Sequence, residues 1–329
     1  MNTRQTKLVA IVLIVLLATL FSITLSKKQG DTSAGGLLFP DLRAQINDIT
    51  EVSVIKAGES LTVTNDSGQW VLVERENYPV DTGKLRQLLL TLANATKLEQ
   101  KTSNPEMYER LGVEDTAANS TGSEIRINGP DSETSLILGN LAQRKYRYAR
   151  IPGQTESWLI DQNPNLPGGI GGWLLPEILD IDASRVQSVT ITHSDGETIY
   201  MEKEDSEASS FDVPAIPTGR ELTYAGIVNS IAGVLSKLTL QDVAKPAEAE
   251  ADGGSARTVF KTFDGLEITI DSSRRDDVTW ISVSANQGEM DSEEASKINK
   301  RLGGWEYLVQ NHEGDQLRRR WDDILKAEE

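Results

Sequence analysis

The sequence predicts an α+β protein of two tandem repeated units behind an N-terminal transmembrane helix. Each unit is expected to be an antiparallel β meander with a packed helix, further strands and a short closing helix. Three observations carry this prediction: an uncharged apolar run near the start, a pattern of alternation, turn, alternation and amphipathic helix that occurs twice, and a nearly constant spacing between the two occurrences.

Composition sets the outer limits. At 329 residues the chain exceeds one ordinary domain, and two units of about 130 residues fit the usual domain size. There is no cysteine, which excludes disulfides, thiolate metal sites and a cysteine nucleophile. The net charge of −17 is asymmetric: residues 1–28 hold Arg4, Lys7, Lys27 and Lys28 and no acid, leaving 29 basic against 50 acidic side chains, or −21, in the remainder. A body of that charge is repelled by phosphate backbones and anionic lipid surfaces, which argues against a nucleic-acid partner.

Leu8 to Leu25 is eighteen residues without a charge. As a helix it would span about 27 Å, close to the hydrocarbon thickness of a bilayer. A cleavable signal has a shorter apolar core, of about 7–15 residues, and small residues before the cut. Here the run ends Thr24-Leu25-Ser26-Lys27-Lys28, so residues 1–28 read as an uncleaved single-pass anchor. Basic residues flank both ends almost equally; the short basic leader before a large acidic body places the amino terminus inside and the body outside. In a bacterium that is an inner-membrane protein with its body in the periplasm. Residues 29–47 read as a linker, beginning with a Gly/Ser spacer.

The first unit is expected over residues 48–180. Ile49, Val52 and Val54 alternate before a turn at Ala57-Gly58, Leu61 and Val63 follow, and Asn65-Asp66-Ser67-Gly68 turns the chain into Gln69–Val73. Tyr78-Pro79-Val80-Asp81-Thr82 ends this meander and caps a helix whose Leu85, Leu88, Leu89 and Leu92 recur at i, i+3, i+4 and i+7. Strands are expected at 124–128, 135–138, 146–151 and 158–161. The punctuated segment 163–172 leads to a helical stub over 173–179.

The second unit, residues 181–329, repeats the pattern. The offset is 137 at the first strand (Val52 to Val189, Val54 to Ile191), 138 at the second (Leu61 to Ile199, Val63 to Met201), and 142 on the helix (Leu85 to Ile227, Leu89 to Ile231, Leu92 to Val234). A slowly growing offset is what loop insertions leave in a duplicated unit. Residues 244–256 are acidic and of low complexity, the signature of a mobile loop. Strands resume at 258–263, 266–271 and 278–284, a polar helix at 292–302, and a final strand and helix close the chain. Leu159–Gln162 matches Leu308–Asn311, and Glu177–Leu179 matches Asp323–Leu325.

Chemistry is sparse in this pattern, and no residue is assigned to catalysis, a cofactor or a metal. His193 and His312 are the two histidines; both read as exposed turn residues, and no HExxH motif is present. Among the many carboxylates Asp182, Glu267 and Asp271 cannot be preferred over others for a paired-acid mechanism. Gly168–Gly172 matches neither GxGxxG nor a P-loop and reads as a turn. Trp70, Trp158, Trp173, Trp280, Trp305 and Trp321 read as core packing. Arg144 to Arg150 alternates basic with apolar or aromatic residues, either a cationic strip or an exposed strand face whose arginines offset nearby acids; the second is the simpler reading.

Gly68-Gln69-Trp70-Val71-Leu72, Tyr78-Pro79-Val80-Asp81, the leucine-rich helix, Tyr108–Val113, Leu138-Gly139 and Tyr148-Ala149-Arg150, after a membrane anchor, together resemble a bacterial family known as domain of unknown function 4340. The second unit departs from this pattern, with Phe211 in place of the tryptophan and Pro217-Thr218-Gly219 in place of Pro-Val-Asp. The resemblance implies an envelope protein of the kind often encoded beside ABC-type export or gliding-motility transporter components, and supplies no catalytic residues. The expectation is therefore a membrane-tethered, non-enzymatic accessory or binding subunit of an envelope ABC-type transport complex, with a membrane-protein partner such as a transporter subunit. The alternatives are a periplasmic glycan hydrolase using paired carboxylates and a structural envelope protein.

Overall fold

The computed structural model describes residues 34–224, 226–246, 254–287 and 293–327. The expected membrane helix Leu8–Leu25 and most of the acidic loop 244–256 lie outside them. Among the described residues no helix is long and apolar enough to cross a membrane. They form two antiparallel sheets and seven α-helices, a mixed α+β architecture. Contacts group Met1–Gly68 with Thr82–Leu166 as a first unit, and Gln69–Asp81 with Pro167–Glu329 as a second.

The expected linker is already packed where it is described. Leu38 and Leu42 are buried, α1 (Leu42–Gln45) lies on the helix that follows the meander, and Leu37 bridges to Thr96. The apolar run Leu37-Leu38-Phe39 ends the spacer early because it has a surface to cover.

In the first unit β1 (Glu51–Lys56) and β2 (Glu59–Asp66) form a hairpin with Val52 opposite Val63 and Val54 opposite Leu61. Its two-residue turn, Ala57-Gly58, has positive φ at both positions, the geometry that matches strand twist. The chain then leaves for the second unit as β3 (Gln69–Leu72) and β4 (Tyr78–Pro79) and returns in α2 (Thr82–Ala93). Leu85, Leu88, Leu89 and Leu92 are the buried stripe of α2, as their spacing requires. Next come β5 (Lys97–Thr102), α3 (Tyr108–Leu111), and a four-strand meander of β6 (Ser123–Gly129), β7 (Ser132–Ala142), β8 (Tyr146–Arg150) and β9 (Ser157–Ile160). The spatial order within the unit is β2-β1-β6-β7-β8-β9-β5.

The helical stub expected over 173–179 is replaced by a 3-10 turn, Gly171–Trp173, and an extended strand, β10 (Glu177–Leu179). Pro176 is the reason: it disfavours a helical residue before it, and the chain is already extended at Leu174. Glu177–Leu179 thus opens the second sheet instead of closing the first unit.

In the second unit β11 (Val186–His193) and β12 (Thr198–Glu202) form a hairpin with Val189 opposite Met201 and Ile191 opposite Ile199. The expected amphipathic helix shrinks to α4 (Asn229–Ala232) and a 3-10 turn over Gly233–Leu235. Gly226 and Gly233 bracket it, and glycine is a poor helix former. Ile227, Ile231 and Val234 are nevertheless buried, as the matching leucines are in α2. β13 (Leu238–Ala244), β14 (Ser255–Thr262), β15 (Leu266–Arg275), β16 (Val278–Gln287), α5 (Glu293–Leu302), β17 (Glu306–Val309), α6 (Asn311–Leu317) and α7 (Trp321–Ile324) complete the unit. Ser255 and Ala256, expected in the acidic loop, belong to β14. The spatial order is β10-β13-β17-β16-β15-β14-β11-β12.

The two sheets share one connectivity. In each, the first strand of the opening hairpin pairs with a four-strand meander, and the last meander strand pairs with the strand that follows the helix. A register shift also falls at the same place in both, between Lys97 and Glu99 on β5 and between Leu240 and Asp242 on β13.

Leu89 is buried at the centre of the α2 stripe. Leu89→Ala should lower unfolding free energy by about 2–5 kcal/mol, whereas the exposed Gln87→Ala should stay within about 0.5 kcal/mol. Urea titrations of the two variants measure the difference.

Candidate functional site

The residues picked out from the sequence do not converge. His193 was expected in an exposed turn but is 4% exposed. As the last residue of β11 it takes an inward position, and its Nε2 lies 3.0 Å from the Arg319 carbonyl oxygen. His312 is exposed in the first turn of α6. Glu267 pairs with Lys261 at 3.3 Å, and Asp271 with Arg257 at 2.7 Å. Asp182 accepts from the Ser184 amide, which holds its carboxyl below the usual range. The other carboxyls that are clearly displaced, Glu124, Asp195, Glu221 and Asp264, also move down, held by arginine, lysine, hydroxyl or amide donors. Carboxylates held ionised are suited to structural pairing; a general acid requires the opposite shift. No group of metal-ligating side chains occurs among the described residues.

Gly168–Gly172 turns the chain onto β13. Gly171 lies against the Gln241 carbonyl so closely that a side chain would collide with it. This is a packing glycine at the register shift of β13. Of the six tryptophans Trp158 and Trp173 are buried, while Trp70, Trp280, Trp305 and Trp321 are half-buried. Arg275 lies 5.3 Å from the Trp280 ring centroid and Lys245 lies 3.3 Å from that of Trp305.

The second unit holds an aromatic cluster at Tyr78. Trp305 meets its ring edge-on at 5.0 Å and Tyr307 at 6.2 Å. Burial and the neighbouring Tyr78 push the Tyr307 hydroxyl pKa up. Three residues away, the Arg75 guanidinium forks onto both Asp242 oxygens at 2.6 and 2.8 Å. The motif segment 69–81 therefore supplies an aromatic and an ionic anchor within its unit.

The first unit contains a second knot, built from Tyr108–Val113, Gly139 and Tyr148–Arg150. The α3 turn ends at Gly112 with φ +68, and its carbonyls press on the sheet. A Cβ at Gly139 would strike the Leu111 carbonyl, and one at Gly122 the Gly112 carbonyl. Arg150, 3% exposed, closes the knot. Its Nε donates to the Val113 carbonyl at 2.7 Å and its Nη1 to that of Gln154 at 3.2 Å. Nη2 donates to Asp115, and the guanidinium lies 4.6 Å from the Tyr108 ring centroid. The alternating strip thus splits. Arg150 is an internal clasp, whereas Arg144 and Lys145 are exposed at the β7–β8 tip. Arg147 lies between them and donates to the Gly139 and Pro164 carbonyls.

The first unit carries a shallow, open depression of about 420 Å³ on the outer face of α2, lined by Arg86, Gln87, Leu90, Asn94 and Gln162. Leu90 is 44% exposed there. An open floor of amides, one guanidinium and one leucine offers contact and hydrogen bonding; it does not enclose a reacting group. The sequence could reveal the leucine stripe of α2, but not that its opposite face meets Gln162 from beyond β9.

The family described as Domain of unknown function (DUF4340) matches the chain over residues 70–256. No curated protein and no solved structure matches it.

Arg150→Met keeps the aliphatic packing and leaves one buried and one part-buried carbonyl without their donor, so it should destabilise by about 1–3 kcal/mol. Gly139→Ala should cost a similar amount by overpacking. Both are read by thermal and urea unfolding. An Arg150→Met variant as stable as the parent would show that Arg150 is no clasp.

Proposed function

The chain belongs to the DUF4340 family, and from that premise we propose that it is a membrane-tethered, non-enzymatic accessory or binding subunit of a bacterial envelope ABC-type transport complex. The observation that carries this reading is the charge-free run Leu8–Leu25, joined by about a dozen residues to a large, ion-paired β-rich body. A flexible linker of n residues reaches roughly 5–6 Å × √n, so the body is held within a few tens of ångströms of the bilayer. Tethering raises the effective concentration of any partner whose bulk lies in or on the membrane, and modest contacts then suffice. The open depression on α2 and the paired carboxylates fit a role exerted through contacts.

The same reading includes an internal duplication. It is supported by the common connectivity of the two sheets, the equivalent hairpin registers, the matched register shifts on β5 and β13, and the slowly growing sequence offset. A duplicated scaffold provides two sheets whose surfaces can diverge while their cores stay alike.

Extraction in mild detergent followed by affinity purification should recover transporter subunits with the full chain, and deleting residues 1–28 should weaken that recovery. A body that purifies alone and cleaves an envelope glycan would replace this reading with a hydrolase.

A further inference from the structure

The acidity of the body is unevenly divided. The residues of the first unit from 34 onward hold 12 basic against 15 acidic side chains; those of the second hold 17 against 34. The repulsion from anionic surfaces expected of the whole body therefore resides in the second unit. Within the first, residues 134–155 contain no acid and four bases, Arg144, Lys145, Arg147 and Arg150.

Arg150 is committed to the interior, and the other three gather at one end of a hairpin. Arg144 and Lys145 occupy the β7–β8 tip, and Arg147 is the partner of Leu141 across it. Arg147 donates only to carbonyls, which leave its charge uncancelled. None of the three makes an ion pair among the described residues. Leu141 is 49% exposed, and Tyr146 lies under the Lys145 ammonium at 4.8 Å. An exposed leucine, a tyrosine and two exposed cations on one tip, with the half-buried Arg147 beside them, are the residue types that settle at a bilayer interface. The ring and leucine enter below the headgroups and the cations meet phosphate.

The second unit provides an internal control. Its corresponding hairpin, β15–β16, has the same left-handed pair at its tip, φ 51 and 63 at Asp276 and Asp277 against 50 and 66 at Gln143 and Arg144. There the two arginines are neutralised: Arg275 pairs with Glu306, and Arg274 faces Asp277 and Asp315. The fold does not require an uncompensated basic tip, so its presence in one unit calls for a partner.

We propose that the β7–β8 tip of the first unit docks on anionic phospholipid headgroups. This inference rests on the tethered reading, which puts the first unit beside a bilayer. It adds a defined orientation, with the basic tip on the membrane and the depression on α2 left open to another protein.

Because the chain has no cysteine, Gln143→Cys gives a single site for an environment-sensitive fluorophore. The full chain is reconstituted in vesicles of phosphatidylcholine alone or with phosphatidylglycerol. Flotation reads the anchor; the fluorophore reads the tip. A blue shift and quenching by headgroup-labelled lipid are expected only with phosphatidylglycerol and are lost at high salt. R144E/K145E should abolish them, because each cation at an anionic surface is worth about fivefold in partitioning, roughly 25-fold for the two. The same label at Asp276→Cys should report water throughout. No shift in chain that floats, or a shift equal in both lipids and indifferent to charge reversal, overturns the proposal while sparing the anchor. A shift produced by soluble polyglutamate but not by phosphatidylglycerol would reassign the tip to an acidic protein. Chain that fails to float refutes the anchor, and the tip is then judged by adding phosphatidylglycerol vesicles to the labelled protein in solution.

Discussion

Each unit depends on a strand that pairs on both of its edges. β1 holds β2 on one side and β6 on the other; β11 holds β12 and β14 in the same way. With both edges taken, a slip by one residue would turn Val52 or Val189 out of the core and disturb two ladders at once. Val52, Val63 and Ile127 therefore lie in one buried row, as do Val189, Met201 and Phe260. The later strands take their inward and outward faces from that row.

Much of this was legible because burial in a sheet and on a helix has a period. Val52, Val54, Leu61 and Val63 declared the first hairpin, and Leu85 to Leu92 the helix stripe. The offsets to the second hairpin coincide with equivalent partners in the ladders. Local alternation could not reveal spatial order: nothing in Lys97–Thr102 tells that it joins β9, made more than fifty residues later. At Trp173–Leu179 the apolar pattern suggests a helix, but Pro176 favours extension. At His193 the neighbouring Ser194-Asp195-Gly196 signals a turn, while the residue itself still obeys strand alternation and is buried. Arg150 was hidden for a related reason. Charge predicts exposure, except where a guanidinium satisfies carbonyls that the backbone cannot otherwise pair.

The candidate surfaces were the least legible part. The basic tip could be read as a run of letters, but its meaning depends on which arginine turns inward, and that is decided by Val113 and Tyr108 from an earlier part of the chain, with Gln154 just beyond the strand. The depression on α2 is assembled across a strand pairing. Net charge summed over the whole body hides that the excess of acid lies almost entirely in the second unit.

The excursion of residues 69–81 into the second unit bears on how the protein is made. Arg75 waits for Asp242, 167 residues further on, and Tyr78 for Trp305 and Tyr307 near the end of the chain. During synthesis at about 5–20 residues per second, that hairpin stays without its ionic and aromatic partners for many seconds after the surrounding residues have emerged. The first unit cannot hand over a finished second unit, and cutting the chain at residue 166 would not yield two intact pieces. Assembly is thereby deferred until the carboxy-terminal strand arrives.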